Sequence, residues 1–444
     1  MSAQEESATV TVRVESLVHG GEALARHQGQ VVFLRGGAPG DLVVAQLADQ
    51  GKERFLRGRV LRVLERGFAR VDAPCPIVER CGGCPIQQVA YAEQLRAKHA
   101  LVIDALTRQG DLPQSASITA QVVPSPAQLR YRRRGRLHRG PAGSWGFSSG
   151  EAVVPVAECL LFSPALQALA DAVRAQIDLL GGFSGVTDLG LDTSDAGRGA
   201  IDLRTEGSPS PGLRSKALRL LSSIPHLRGI VLGPQKELLG DPVLADDPVS
   251  LPGAGQWRLR SRPDLFGQAN RAAVPLLQAA VLEALGDAAQ GRVLELFCGA
   301  GTLTLPLLAR ANAVLGVESA GPALALLRKS ADEAGLSGRL RLFEGDAAKV
   351  ARSLLAQEEG RLDAVLLDPP RTGALEAVRA AAALRPRRIV YVSCDAPTLG
   401  RDAKELARQG YVLERAVPLD LFPQTAHLEV VARFEPGSLA AAAL

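Results

Sequence analysis

Val293-Leu294-Glu295-Leu296-Phe297-Cys298-Gly299-Ala300-Gly301 decides the fold of the C-terminal third. The first five residues form an apolar run of strand length. The glycines after it let the chain turn tightly and bring its backbone close to a bound ligand, with a helix expected from Thr302. Working outward, apolar runs recur at 313–317, 340–343, 364–367 and 388–392, separated by helical patterns. Strands alternating with helices indicate a parallel α/β sheet. The second strand ends at Glu318, placed to accept hydrogen bonds from ribose hydroxyls. The third leads to Asp346 on the adenine side, and the fourth ends in Asp368-Pro369-Pro370-Arg371. Each of these acids can equally serve as a helix N-cap. The pattern is common to NAD and S-adenosylmethionine (SAM) sites, and the missing third glycine of the dinucleotide spacing favours SAM.

The fifth strand, Arg388-Ile389-Val390-Tyr391-Val392, leads through Ser393 to Cys394, with Thr398 as the expected N-cap of a helix reaching about Gly410. A thiol at the carboxyl end of such a strand lies where open α/β sheets bind ligands, although most free cysteines are small core hydrophobes.

At 444 residues the chain exceeds one core, so about three domains are expected. The formal net charge of +4 is only mildly basic, which makes any polyanion site local. No leader pattern is visible and no apolar run is expected to reach bilayer length, so a cytoplasmic protein without membrane contact is expected. In that compartment the six cysteines read as ligands, catalysts or core residues rather than disulfides.

The first 66 residues read as a small β-barrel. Thr9 to Val14 alternates, Val31-Val32-Phe33-Leu34 and Leu42-Val43-Val44-Ala45 are further strands, and Gly20-Gly21, Gly36-Gly37 and Pro39-Gly40 supply turns. This suits an OB-like, oligonucleotide-binding barrel and resembles a TRAM domain. Next, Cys75, Cys81 and Cys84 form a Cys-x5-Cys-x2-Cys run around Gly82-Gly83, with Cys159 as a possible distant fourth ligand. Four thiolates fit either tetrahedral zinc or an iron–sulfur cluster. In Arg130-Tyr131-Arg132-Arg133-Arg134-Gly135-Arg136, alternation places Arg132, Arg134 and Arg136 on one face. That face reads either as a phosphate track with Tyr131 for base stacking or as a solvated edge strand. Residues 140–260 show no chemistry besides Cys159, and Leu251-Pro252-Gly253-Ala254-Gly255 reads as a boundary. The Ala-rich end from Leu439 to Leu444 reads as uninformative tail.

Taken in order, the barrel, Arg80-Cys81-Gly82-Gly83-Cys84, Phe266-Gly267-Gln268-Ala269-Asn270, Phe297-Cys298-Gly299-Ala300-Gly301, Asp368-Pro369-Pro370-Arg371, Ser393-Cys394 and Phe422-Pro423-Gln424-Thr425-Ala426-His427-Leu428-Glu429 resemble the RNA (uracil-5-)-methyltransferase family. The likeness is to its iron–sulfur members that modify 23S ribosomal RNA, and it covers nearly the whole chain.

The resemblance implies a [4Fe–4S] cluster on Cys75, Cys81, Cys84 and Cys159, and SAM as methyl donor. It implies Cys394 as a nucleophile that adds to carbon 6 of uracil, and Glu429 as the base that removes the carbon 5 proton. Gln268 and Asp368 match residues that hold SAM and the target base, while Phe297, Thr302, Glu318 and Asp346 match other cofactor positions. The target uridine must be flipped out of its stack, which favours unpaired RNA.

The expected fold class is α/β: a Rossmann-like SAM-dependent methyltransferase domain with an N-terminal OB-like (TRAM) barrel and a central α+β iron–sulfur domain. The expected boundaries are 1–66 for the barrel, 67–90 with 120–262 for the central domain, and 91–119 with 263–436 for the methyltransferase domain, acting as a monomer on RNA. Asp395-Ala396 stands where the family commonly has Asn-Pro, and Thr302 where an asparagine can sit. The competing readings are a transfer-RNA uridine-5-methyltransferase and a non-catalytic RNA-binding ribosome-assembly protein. The latter has no need of Cys394 and Glu429 together.

Overall fold

The computed structural model describes residues 8–48, 55–150, 152–246, 249–250, 256–356 and 361–437. The expected boundary at Leu251–Gly255 and the Ala-rich end at Leu439–Leu444 lie outside them.

Strands Thr9–Leu17, Ala23–His27, Gln30–Arg35, Leu42–Leu47 and Phe55–Glu65 close into a barrel. Period-2 alternation turns Val12, Val14, Ala25, Val32, Leu34, Val43 and Ala45 inward. Ile86 and Val89, from the segment after the cysteine run, join that core, so the barrel is sealed by the next part of the chain.

The central unit is a seven-stranded sheet assembled from the stretch 134–240. Helices Pro164–Leu179 and Pro211–Ser223 pack on it, each started by a serine cap with proline at the first turn. Here the arginine run departs from expectation. Arg134 donates to the Arg262 and Leu265 carbonyls, Arg133 pairs with Asp246 and Asp192, and Arg136 lies 3.6 Å from Asp202. Tyr131 is buried, its hydroxyl donating to the Pro423 carbonyl at 3.0 Å. In Arg133, Arg134 and Arg136, charge that reads from sequence as a phosphate track or a solvated edge is taken up by internal carboxylates and carbonyls, because a buried guanidinium needs partners.

The C-terminal unit carries the second seven-stranded sheet. Strands Leu340–Glu344, Ala313–Glu318, Arg292–Leu296, Ala364–Leu367 and Arg388–Ser393 run parallel in that spatial order. Glu429–Pro436 and then Tyr411–Leu419 add antiparallel. The inner parallel strands are largely apolar because helices cover both faces, while the edge strand Leu340–Glu344 exposes Arg341 and Glu344. Helix Tyr91–Arg108, which follows the cysteine run, packs here: Val102, Ala105 and Leu106 share a core with Leu399, Ala403 and Leu406. Residues Thr119 and Val123 bridge to Ala416 and Leu419.

Hydropathy misleads at one helix and needs correction. Arg271–Gln290 is apolar and long enough, at 20 residues, to cross a bilayer. It is a core helix instead: Val274, Leu277, Val281, Leu282 and Leu285 are buried with Val293 and Val390 of the sheet.

Candidate active site

Parallel strands carry their ligand-facing residues to one edge, and four of the expected site residues sit at such strand ends. Phe297 follows the first strand with φ of +66°, a left-handed conformation that bulky residues seldom adopt. This bend presents Gly299, whose φ is +53° and whose Cα faces open space: a Cβ there would meet nothing within 4 Å. Gly301 has no such freedom, since a Cβ there would lie 2.4 Å from Leu327. The Gly299 N–H donates to Glu318 at 3.1 Å, and the other Glu318 oxygen accepts from the Ala320 N–H at 2.9 Å. Thr302 is half-buried, two residues ahead of helix Thr304–Leu308, and its carbonyl accepts from Gln278 at 2.7 Å. Asp346 is exposed and accepts from the Lys349 N–H at 2.9 Å, the helix-capping geometry. Gln268 is half-buried beside Asn270, whose amide donates to Ser125 Oγ and the Leu421 carbonyl at 3.0 Å each.

Cys394 leaves the end of strand Arg388–Ser393. The cap of the following helix, Ala396–Arg408, is Asp395 rather than the expected Thr398: its Oδ1 accepts from the Thr398 N–H at 3.0 Å. Carboxylates cap better than threonine, and the chain takes the first one available. Burial pushes the Cys394 thiol up to about 12, and the charges of Glu429, Asp368 and Asp395 push the same way while Arg371 opposes them.

Glu429 opens strand Glu429–Pro436, is buried, and has one carboxylate oxygen without a hydrogen-bond partner. Burial raises its carboxyl well above the ordinary range, and neighbouring Asp368 adds to the shift. Asp368 is itself raised by burial, so the two acids cannot both ionise readily. Arg371 Nη2 approaches His427 Nδ1 at 3.4 Å. Burial, followed by Arg371 and other cations, pushes His427 down to about 4, which leaves its ring neutral at physiological pH.

The loop bearing His427 is held from behind by three contacts. Lys98 and Asp420, both fully buried, pair at 2.6 Å. The Gln94 side chain exchanges hydrogen bonds with Gln424 at 2.9 and 3.1 Å. Tyr131 supplies the third through the Pro423 carbonyl. Helix Tyr91–Arg108 and the arginine run thus serve the site as its backing.

The remaining expected ligands also converge. Cys75, Cys81, Cys84 and Cys159 line one cavity of about 30 Å³, walled by apolar side chains including Ile77 and Phe147. Burial raises the thiols of Cys81, Cys84 and Cys159, with Cys84 reaching about 12, and Arg132 pulls all three down. Among the described residues, no three His, Cys, Asp or Glu side chains are grouped tightly enough to hold one metal ion.

Residues 254–434 match the tRNA (Uracil-5-)-methyltransferase family, and residues 3–61 match the TRAM domain. A 23S rRNA (uracil(1939)-C(5))-methyltransferase RlmD of Pseudomonas aeruginosa is 35% identical over 96% of this chain and 93% of its own length. The protein of that name from Shewanella sediminis is 31% identical over 98% and 97%. The chain belongs to the RNA (uracil-5-)-methyltransferase family.

As a member it is a SAM-dependent RNA methyltransferase with a TRAM barrel at its N-terminus. The fold is shared with a Pyrococcus abyssi tRNA (uracil-54, C5)-methyltransferase solved with S-adenosyl-L-homocysteine. The two agree with a TM-score of 0.73 at 21% identity, over 96% of this chain and 99% of that one. Sequence reasoning missed what this family member places behind and beside its strand ends. Lys98 and Asp420 are remote in sequence and look like ordinary surface charges. The cue for Arg371 was its position directly after Asp368-Pro369-Pro370.

Proposed function

We propose that this chain methylates carbon 5 of one uridine in 23S ribosomal RNA, with Cys394 as covalent nucleophile and Glu429 as base. The observation that carries the reading is a thiol at a strand end facing two carboxylates shielded from water, one of which has an oxygen left unpartnered. The ribosomal substrate is supported by the names of relatives that match along nearly the whole chain. The same reading has the protein act in the cytoplasm as a monomer.

Carbon 5 of uracil is a weak nucleophile until a thiolate adds to carbon 6. In the resting site the Cys394 thiol keeps its proton; the one ionised carboxylate of the Asp368–Glu429 pair takes it as the sulfur adds, and that proton passes on to water before Glu429 acts as base. Addition of the Cys394 sulfur to carbon 6 moves the ring electrons to carbon 5 and the carbonyl oxygen. SAM, when bound, supplies the methyl group that carbon 5 takes. Glu429 then removes the carbon 5 proton, the electrons of that C–H bond reform the 5,6 double bond, and the Cys394–carbon 6 bond breaks. Arg371 faces the thiol and favours its ionised form.

The residues fit SAM. The open space at Gly299, the anchored Glu318 carboxylate and the strained turn at Phe297 form a cradle at the sheet's carboxyl edge. The four cavity thiols fit a [4Fe–4S] cluster. Four thiolates suit tetrahedral zinc as well, and it is the resemblance to the iron–sulfur members of the family that favours the cluster. Cys75, Cys81, Cys84 and Cys159 would hold it, and it would supply a structural tie between the cysteine run and the central sheet.

The test is anaerobic incubation of the purified protein with SAM and RNA from cells lacking it, with new methyl groups mapped by mass spectrometry. A methyl on carbon 5 of one 23S uridine, absent with Cys394→Ala, is the expected result. A methyl in transfer RNA instead would replace the substrate. No methylation with SAM bound would leave an RNA-binding protein.

A further inference from the structure

The barrel does more than sit beside the catalytic unit. Its turn His19–Gly21 reaches the nucleophile loop, where His19 Nε2 lies 3.6 Å from Asp395 Oδ2. Asp395 is the residue after Cys394, and its side chain is only 12% exposed. The two oxygens of that carboxylate have separate tasks: Oδ1 caps the following helix and Oδ2 faces His19. The turn that carries His19 is fixed from below. Gly21 has a φ of +82°, and a Cβ on it would come within 2.9 Å of Pro85 and 3.1 Å of Ile86, directly after Cys84. The barrel, the cysteine run and the nucleophile loop therefore meet at one point.

The sequence makes the contact meaningful. Asp395 puts a carboxylate directly after Cys394, and it raises the thiol further, as an anion next to a forming thiolate must. A neutral amide would cap the helix equally well without that effect. The His19 ring, seated against Oδ2, fixes where that carboxylate stands relative to the thiol. We infer that His19 is a positioning residue for the nucleophile: it holds Asp395 in place, so that the seating of the TRAM barrel and the readiness of Cys394 are one structural event. The inference rests on the proposed role of Cys394. Because His19 is about half exposed, the coupling is expected to be modest, a few-fold in rate.

A double-mutant cycle tests it, using the full-length protein and the variants His19→Ala, Asp395→Asn and both together. Two readouts are taken. One is single-turnover methyl transfer to a 23S rRNA transcript at saturating RNA; the other is the rate of iodoacetamide alkylation at Cys394, followed by mass spectrometry without RNA or SAM. His19→Ala should slow both by about two- to fivefold, with the KM for RNA changed less than the rate. Asp395→Asn should abolish the sensitivity, so that the double variant behaves like Asp395→Asn alone. Three outcomes overturn the inference: no effect of His19→Ala, an equal effect in both backgrounds, or a rise in KM with the rate unchanged. If the unaltered protein methylates no RNA, the functional reading fails instead, and the alkylation cycle still decides the His19–Asp395 coupling.

Discussion

The molecule holds two thiol sites whose chemistry differs although both are shielded from water. In the cavity of Cys75, Cys81, Cys84 and Cys159 the walls are mostly apolar, with Glu158 and Gln87 also in the lining, and the charge that pulls on the thiols of Cys81, Cys84 and Cys159 is the cation Arg132. At Cys394 the neighbours that act on the thiol are chiefly carboxylates, Glu429, Asp368 and Asp395, opposed by the cation Arg371. Burial drives Cys84 and Cys394 to about 12 alike. Desolvation therefore does not separate the proposed ligands from the proposed nucleophile; the sign of the surrounding charge does. A cation helps thiolates persist, as ligands must. Carboxylates discourage the thiolate at rest but provide somewhere for its proton to go when substrate arrives.

The contrast can be broken or sharpened at several points. The largest effect belongs to Cys394→Ala, which should lower methyl transfer by about 10⁴-fold or more, measured by tritium transfer from labelled SAM. Comparable loss from a cavity cysteine that leaves Cys394 reactive would erase the distinction. Glu429→Gln should slow release of the product by about 10²- to 10³-fold and leave RNA attached to protein, visible as a complex that survives denaturing gels. An unmodified protein band at full turnover would remove Glu429 from the mechanism.

The pH dependence follows from the raised thiol. A pKa moved up to about 12 means that the free enzyme gains thiolate throughout the range from pH 7 to 9. Alkylation of Cys394 should therefore rise about tenfold per pH unit with no plateau in that range. A plateau near pH 7 would show a thiol already ionised. Cys84→Ala should lose bound iron, read by metal analysis, while alkylation at Cys394 stays within about twofold, since the sites share no side chain.

The smallest effect is on stability. The Glu429 carboxyl is raised in the folded state, so its contribution is present below the unfolded value and is lost as pH rises. Glu429→Gln removes that loss and should raise Tm at pH 8 by about 1–3 °C.

What the sequence revealed and what it hid have separate physical causes. Strand ends were legible because each parallel strand is an apolar run that stops at a polar residue, as at Glu318, Asp368 and Cys394. The barrel was legible as a barrel, yet strands Ala23–His27 and Phe55–Glu65 were not. The second alternates arginines with half-buried residues around Gly58, which needs no side chain because the Gln46 carbonyl lies where a Cβ would be. Thr398 was a reasonable cap until Asp395, three residues earlier, took the task. The arginine run misled because composition shows a charge and not its partner: Asp192, Asp202 and Asp246 all lie far along the chain. The convergence of four cysteines and the backing of Lys98 on Asp420 depend on tertiary approach, which no local pattern encodes.

The strand Glu429–Pro436 is last in sequence among the described strands, yet it is interior to the sheet, inserted between Arg388–Ser393 and Tyr411–Leu419. During synthesis the chain emerges N-terminal end first, so the barrel and the central sheet can form while this strand is still inside the ribosome. Cys394 then exists without its carboxylate partner and with an unpaired strand edge beside it. Emergence of this strand supplies both, so the buried carboxylate of Glu429 and the last pairings of the sheet arrive together.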